Sequence, residues 1–79
     1  MKIIEAIREA RKIKWAKYIA IDEDATCFAY GCKVAPEKDI ARKEFDFYDK
    51  AADYHEIGKV KLSCHWEKTL IKLSDIKVK

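Results

Sequence analysis

The residues with most capacity for chemistry are three cysteines and two histidines: Cys27, Cys32, Cys64, His55 and His65. They are the right types for zinc, which takes thiolate sulfur and imidazole nitrogen in tetrahedral sites. Their spacing does not support that role. Structural zinc sites draw on close pairs such as C-x-x-C at a turn. Here Cys27 and Cys32 lie five apart on one expected strand, which sends them to opposite faces unless Gly31 opens a bulge. Cys64 and His65 are neighbours and diverge in an extended chain. No metal and no cofactor is expected, and the thiols read as buried apolar groups. Nucleophilic catalysis would need a Cys and a His that meet in space, with a third group orienting the base. Adjacency in sequence does not supply that, and a chain this small has little room for a cleft. With only Gly31 and Gly58 there is no glycine-rich phosphate loop. The expectation is a protein that is not an enzyme.

The acidic middle carries a different chemistry. Asp46, Asp49, Asp53 and Glu56 are interleaved with Phe45, Phe47, Tyr48 and Tyr54. That combines aromatic anchors with a negative field, the ingredients of docking on a basic protein surface. The candidate protein-binding residues are therefore Asp46, Phe47, Tyr48, Asp49, Asp53 and Glu56. The bland alternative is a solvated segment whose aromatics sit in the core. A second candidate, for nucleic acid, is the set Arg8, Arg11, Lys12 and Lys14 near the N-terminus, which could contact phosphates together with the basic C-terminal third. Residues 1–17 carry +4, 18–36 carry −2, 37–56 carry −3 and 57–79 carry +4, so the net charge of +3 hides basic ends around an acidic middle. Nucleic-acid-binding domains usually show a larger positive excess on one surface, which weakens that second candidate.

The elements that must position these groups can be read in order. Lys2 to Ile13 places Ile3, Ile4, Ile7 and Ala10 at helical spacing, with late basic residues that complement the helix dipole. Trp15 precedes a hairpin, where it can cap one end of the core. Pairing Ala16–Lys33 about a turn at Asp24 and Ala25 sets Ile21 opposite Phe28 and Ile19 opposite Tyr30 on a bulky face. Ala20, Ala29, Tyr18 and Gly31 then form a shallow face, so the hairpin can be covered on both sides. Pro36 ends the second strand.

Residues 36–53 carry two competing patterns. Pro36, Glu37 and Asp39 look like a helix start, and Ala41, Phe45, Tyr48 and Ala52 continue at helical spacing. EFDFYD alternates instead, as an edge strand does. The preferred reading is a helical turn from Pro36 to Ala41, a strand from Lys43 to Tyr48 and a turn at DKAAD, with one continuous helix as the alternative. Tyr54 to Ser63 reads as a strand with a bulge at Gly58. Ser63 can cap a short helix or helical turn carrying Trp66, Leu70 and Leu73, and SDIKVK can form a last edge strand or fray. The fold class is α+β: an amphipathic N-terminal helix on three or four antiparallel strands, with a short helical element near the C-terminus.

At 79 residues the chain is one small domain, near the size at which a core only just offsets chain entropy. No apolar run reaches the roughly 20 residues that span a bilayer, and charges run through Met1 to Trp15 where a secretory signal needs an apolar centre. An odd cysteine count fits reduced thiols, so a cytoplasmic location and no membrane partner are expected. The charged N-terminal helix, YIAIDEDATCFAY, HEIGKVKLS and HWEKTLIKL together resemble small accessory proteins encoded by bacteriophages, over residues 15–35 and 54–73. Where such proteins favour glycine after the acidic turn, this chain has Ala25. The resemblance implies a protein of the bacterial cytoplasm that binds a host protein or a defence complex, a size class that includes anti-CRISPR inhibitors. Self-association into a homodimer is the third reading, since a small core can be completed by a second copy.

Overall fold

The structure, a computed structural model, describes residues 1–47, 53–62 and 64–76. Its elements are helix α1 (Ile3–Arg11), strands β1 (Tyr18–Ile21), β2 (Thr26–Tyr30), β3 (Glu37–Asp39), β4 (Glu44–Asp46), β5 (Tyr54–Lys59) and β6 (Ile71–Lys72), and two 3₁₀ turns at Trp66–Lys68 and Leu73–Asp75. The α+β expectation holds. One antiparallel sheet has the order β5-β2-β1-β6, and β3 pairs with β4 in a separate ladder.

The helix forms as its stripe predicts, with one change. Ala6, Ile7 and Ala10 are buried and Ile3 packs against them, whereas Ile4 lies on the flank and is exposed. The Glu5 carboxylate accepts the Lys2 N–H at 3.1 Å, satisfying one of the donors that a helix start leaves open. Late in the helix, Arg11 donates to the Leu73 carbonyl at 3.0 Å and ties α1 to the C-terminal segment.

The β1–β2 hairpin is present in a register one residue away from the expected one. Tyr18 faces Tyr30, Ile19 faces Ala29, Ala20 faces Phe28 and Ile21 faces Cys27. The cause is the loop. The Asp22 carbonyl accepts the Ala25 N–H at 2.9 Å, the Thr26 carbonyl accepts the Asp22 N–H at 3.0 Å, and Ala25 takes φ +70°. That is a three-residue loop, a turn closed by a left-handed residue, and an odd loop slides the register by one relative to a two-residue turn. The β2 side chains change face relative to those of β1. Ile19, Ile21, Cys27 and Ala29 now meet α1, while Ala20 and Tyr30 join Phe45, Trp66 and Cys32 on the other side, with Tyr18 and Phe28 packed at their margin. Both faces are covered, as expected, but Phe28 and Tyr30 lie on the face of Tyr18 and Ala20, and Ala29 lies on that of Ile19 and Ile21.

Residues 37–46 correct the sequence reading further. Glu37–Asp39 is a strand, neither a helical turn nor part of a long helix, and it pairs with Glu44–Asp46 across a turn in which Lys43 takes φ +59°. Phe45 drives this arrangement. It is buried edge-on against Trp66, ring centroids 5.6 Å apart, and locks the small ladder onto the sheet. The expected strand from Lys43 to Tyr48 is present as Glu44–Asp46, and its end at Tyr48 and the turn at DKAAD lie outside the described residues, apart from an exposed Asp53.

Strand β5 ends at Lys59, earlier than Ser63, and carries the expected bulge: Cys27 faces Gly58 and Phe28 faces Glu56, so Ile57 is the extra residue. Gly58 supplies the φ of +143° that the bulge needs. Of the helix or helical turn expected near Trp66, the turn is what forms: one 3₁₀ turn capped by His65, because Ile71 leaves it to pair with Ile19 in β6. The Ser63 cap lies outside the described residues. Among the described residues the edge strand of the tail is Ile71–Lys72; of SDIKVK, Ser74 and Asp75 belong to the last turn and residues 77–79 lie outside the described residues.

Candidate functional site

Strand β5 is an outer strand of the sheet, and its first three residues, Tyr54, His55 and Glu56, are all exposed. Tyr54 lies opposite Tyr30 and Glu56 opposite Phe28, which places these four side chains on the face away from α1. Phe47 reaches the same place from the end of β4. The rings close a circuit: Phe28–Tyr30 6.3 Å, Tyr30–Phe47 5.5 Å, Phe47–Tyr54 5.4 Å and Tyr54–Phe28 6.3 Å between centroids. Tyr30 is buried at the root of this cluster, and burial holds its phenol well above the usual tyrosine range. Tyr54 stands at the rim, 61% exposed. A large ring is thus held in place by its neighbours while most of its surface faces water, the arrangement of an anchor that needs no ordering on contact.

Acids frame the cluster. Asp53 is exposed and its backbone carbonyl accepts the Gly31 N–H at 2.8 Å, which fixes the entry into β5. Asp46 directly precedes Phe47 and accepts that residue's N–H at 2.8 Å. Across the β3–β4 ladder Glu37 lies opposite Asp46, and Asp39 opposite Glu44. Like charges directly opposite one another destabilise a ladder. Arg42 offsets the second pair, at 3.8 Å from Asp39 and 3.9 Å from Glu44. No cation among the described residues pairs with Glu37, Asp46, Asp53 or Glu56.

Of the candidate protein-binding residues, the structure brings Asp46, Phe47, Asp53 and Glu56 to this region, while Tyr48 and Asp49 lie outside the described residues. Phe28, Tyr30 and Glu37 are members the sequence reading missed. Phe28 and Tyr30 could have been found from the β2–β5 pairing, and Glu37 only once residues 37–39 are known to be a strand. The basic set fares worse. Arg11 is spent on the Leu73 carbonyl and Lys12 on Glu9, at 2.9 Å, leaving Arg8 and Lys14 as exposed charges on the helix and just beyond it.

The cysteines and histidines do not converge. Cys27 lies in the core under α1, Cys32 in the core on the other face of the sheet, and Cys64 is exposed, contrary to its reading as a buried thiol. Burial pushes the Cys27 thiol up to about 12, the reverse of what an activated nucleophile requires. Among the described residues no group of three or more His, Cys, Asp or Glu side chains is placed to hold a metal ion. No helix of the described residues is long and apolar enough to cross a membrane.

No protein-family model, curated protein or solved structure matches this chain.

One carboxylate is buried and its pKa raised. Asp22, at the end of β1, is 8% exposed, and its carboxylate accepts the Phe45 N–H at 2.9 Å. Burial raises its pKa to about 6 against the lowering effect of that hydrogen bond, with Asp24 and Glu44 adding to the rise. Glu23 donates its N–H to the Lys43 carbonyl at 3.1 Å, and its carboxylate lies 3.7 Å from the Lys43 ammonium. The acidic turn is a clasp that holds the β3–β4 ladder, and through it Phe45 and Phe47, against the sheet. Asp24 has a different duty: it accepts the Thr26 N–H at 3.0 Å, which lowers its pKa.

Proposed function

We propose that this chain is a non-enzymatic binding protein that docks on the basic surface of a partner protein through the acid-framed aromatic cluster around Tyr54. The observation that carries the reading is the Tyr54 ring, fixed by Phe28 and Phe47 yet largely exposed on an outer strand. Aromatic residues in such settings supply large contact area at low ordering cost. The opposed Glu37 and Asp46 add to it, since a like-charge pair costs the fold stability and gives it a negative field suited to steering a cationic partner. The resemblance to phage accessory proteins, a size class that includes anti-CRISPR inhibitors, points to a bacterial host or defence protein as that partner.

Affinity capture from bacterial lysate tests it, with the wild-type chain, Y54A and a D53K/E56K variant as parallel baits and mass spectrometry as the readout. The expected result is a protein retained by the wild type, depleted at least about tenfold on Y54A, and depleted on D53K/E56K in a manner that added salt reproduces. Equal retention by all three baits would exclude this face as the docking site.

A further inference from the structure

The edge of the sheet away from Tyr54 carries the opposite charge. A cleft of about 390 Å³ opens beside β6, lined by Lys17, Tyr18, Lys33, Lys72, Leu73 and Ser74 together with Ala16. Its three lysines come from three segments: the residue before β1, the stretch after β2, and β6 itself. Pairing explains how they meet. Tyr18 lies opposite Lys72, and the Lys17 carbonyl accepts the Leu73 N–H at 2.9 Å while the Lys17 N–H donates to the Tyr30 carbonyl at 2.8 Å. Behind the wall, Arg11 holds the Leu73 carbonyl.

Among the described residues no acid lines this cleft, and none of its lysines has an ion-pair partner. The contrast with the cleft at the acidic turn is instructive. There Asp22, Glu23, Asp24 and Glu44 are met by Arg42 and Lys43 in the same lining. Three lysines along one cleft with no acid between them put like charges on one surface, and a bound anion offsets that. The donor chemistry selects the anion. The guanidinium fork suits bidentate binding of carboxylate or phosphate, whereas lysines act as point charges that a phosphate can meet from several oxygens at once. The described lining has lysines and no arginine. The Ser74 hydroxyl and the Tyr18 phenol add neutral donors, and the Tyr18 ring with the lysine stems supplies an apolar wall. A volume in the range of small-molecule pockets, about 300–1,000 Å³, exceeds what a bare phosphate fills.

We infer that this cleft is a binding site for a phosphate ester of mononucleotide size, with Lys17, Lys33 and Lys72 on the phosphates and Tyr18 against the organic part. The site is independent of the docking face at β5. Titration of the isotope-labelled chain with ADP, followed by amide chemical shifts in low salt, tests it; adenosine and inorganic phosphate serve as separate arms. Saturable shifts confined to residues 16–18, 33 and 72–74 are expected, with adenosine at least about tenfold weaker and phosphate intermediate. K33E/K72E should lose at least about tenfold in affinity, K33Q/K72Q should lose less, and K68E, an exposed lysine outside the cleft, should bind as the wild type does. No saturation by ADP at about 10 mM, equal binding of adenosine, or equal loss in K68E would each overturn the assignment.

Discussion

At the scale of single residues, three positions hold the clearest tests. Asp22 has a folded-state pKa of about 6 against an ordinary value of 3.8, so the folded chain holds a proton that the unfolded chain releases. Stability is therefore greatest below about pH 4 as far as this group is concerned, falls as pH rises from about 4 to 6, and levels off above, at a total cost of at most about 3 kcal/mol. Urea denaturation midpoints across that interval should show the decline. A side-chain amide in place of the carboxylate can still accept the Phe45 N–H without a buried charge, so D22N should flatten the decline and raise the midpoint at neutral pH. An unchanged slope would show that another group is responsible. Ala25 is the second position. At φ +70° its Cβ meets the strain that glycine avoids. Replacing it with Gly should stabilise the chain by about 0.5–1 kcal/mol despite the added freedom of the unfolded state, as read by the same midpoints. Gly31 predicts the opposite sign. A Cβ there would stand 2.8 Å from the Trp15 ring and 3.1 Å from its carbonyl, so G31A should cost about 1–3 kcal/mol and change Trp15 fluorescence.

Among the elements, β6 is only two residues long, and a side chain extends its work. Thr69 Oγ1 accepts the Ile21 N–H at 2.9 Å and lies 2.9 Å from the Ile21 carbonyl and 2.7 Å from the Trp66 carbonyl, either of which its single proton can serve. The hydroxyl stands where a longer strand would place backbone. T69V keeps the shape and strands a buried N–H, so a loss of about 1–3 kcal/mol is expected by denaturation, with faster hydrogen exchange at Ile21. The elements also show what the chain made legible. The helix, the hairpin and the bulge at Gly58 followed from periodicity and turn residues, because each is decided locally. The hairpin register did not, because it rests on one loop residue: Ala25 in the left-handed region adds a position that only glycine would have advertised. Glu37–Asp39 has the composition of a helix start and becomes a strand because burial of Phe45 rewards the ladder. Trp66, Leu70 and Leu73 share helical spacing yet serve a turn, a link and a second turn. Half of the candidate docking face was visible as acids alternating with aromatics. The lysine cleft was not, since its members are drawn from residues 17, 33 and 72 and meet only through strand pairing.

For the molecule as a whole, one row across the sheet summarises the charge layout: Lys72, Tyr18, Tyr30 and Tyr54 are successive neighbours in β6, β1, β2 and β5. The span from cationic edge to acidic edge is three strand spacings, about 14 Å. Because Tyr54 is largely exposed yet rests on Phe28 and Phe47, Y54A should cost about 1 kcal/mol, and its urea midpoint measured beside the capture experiment separates a docking defect from a folding defect. The same sheet stands between two of the three thiols. Cys27 lies beneath it and Cys32 above it, while Cys64 faces solvent. An alkylating reagent should therefore consume one equivalent at once and two more only as fast as the barrier dissolves. The chain carries its own stopwatch for opening, and any ligand that closes either edge should be seen to slow it.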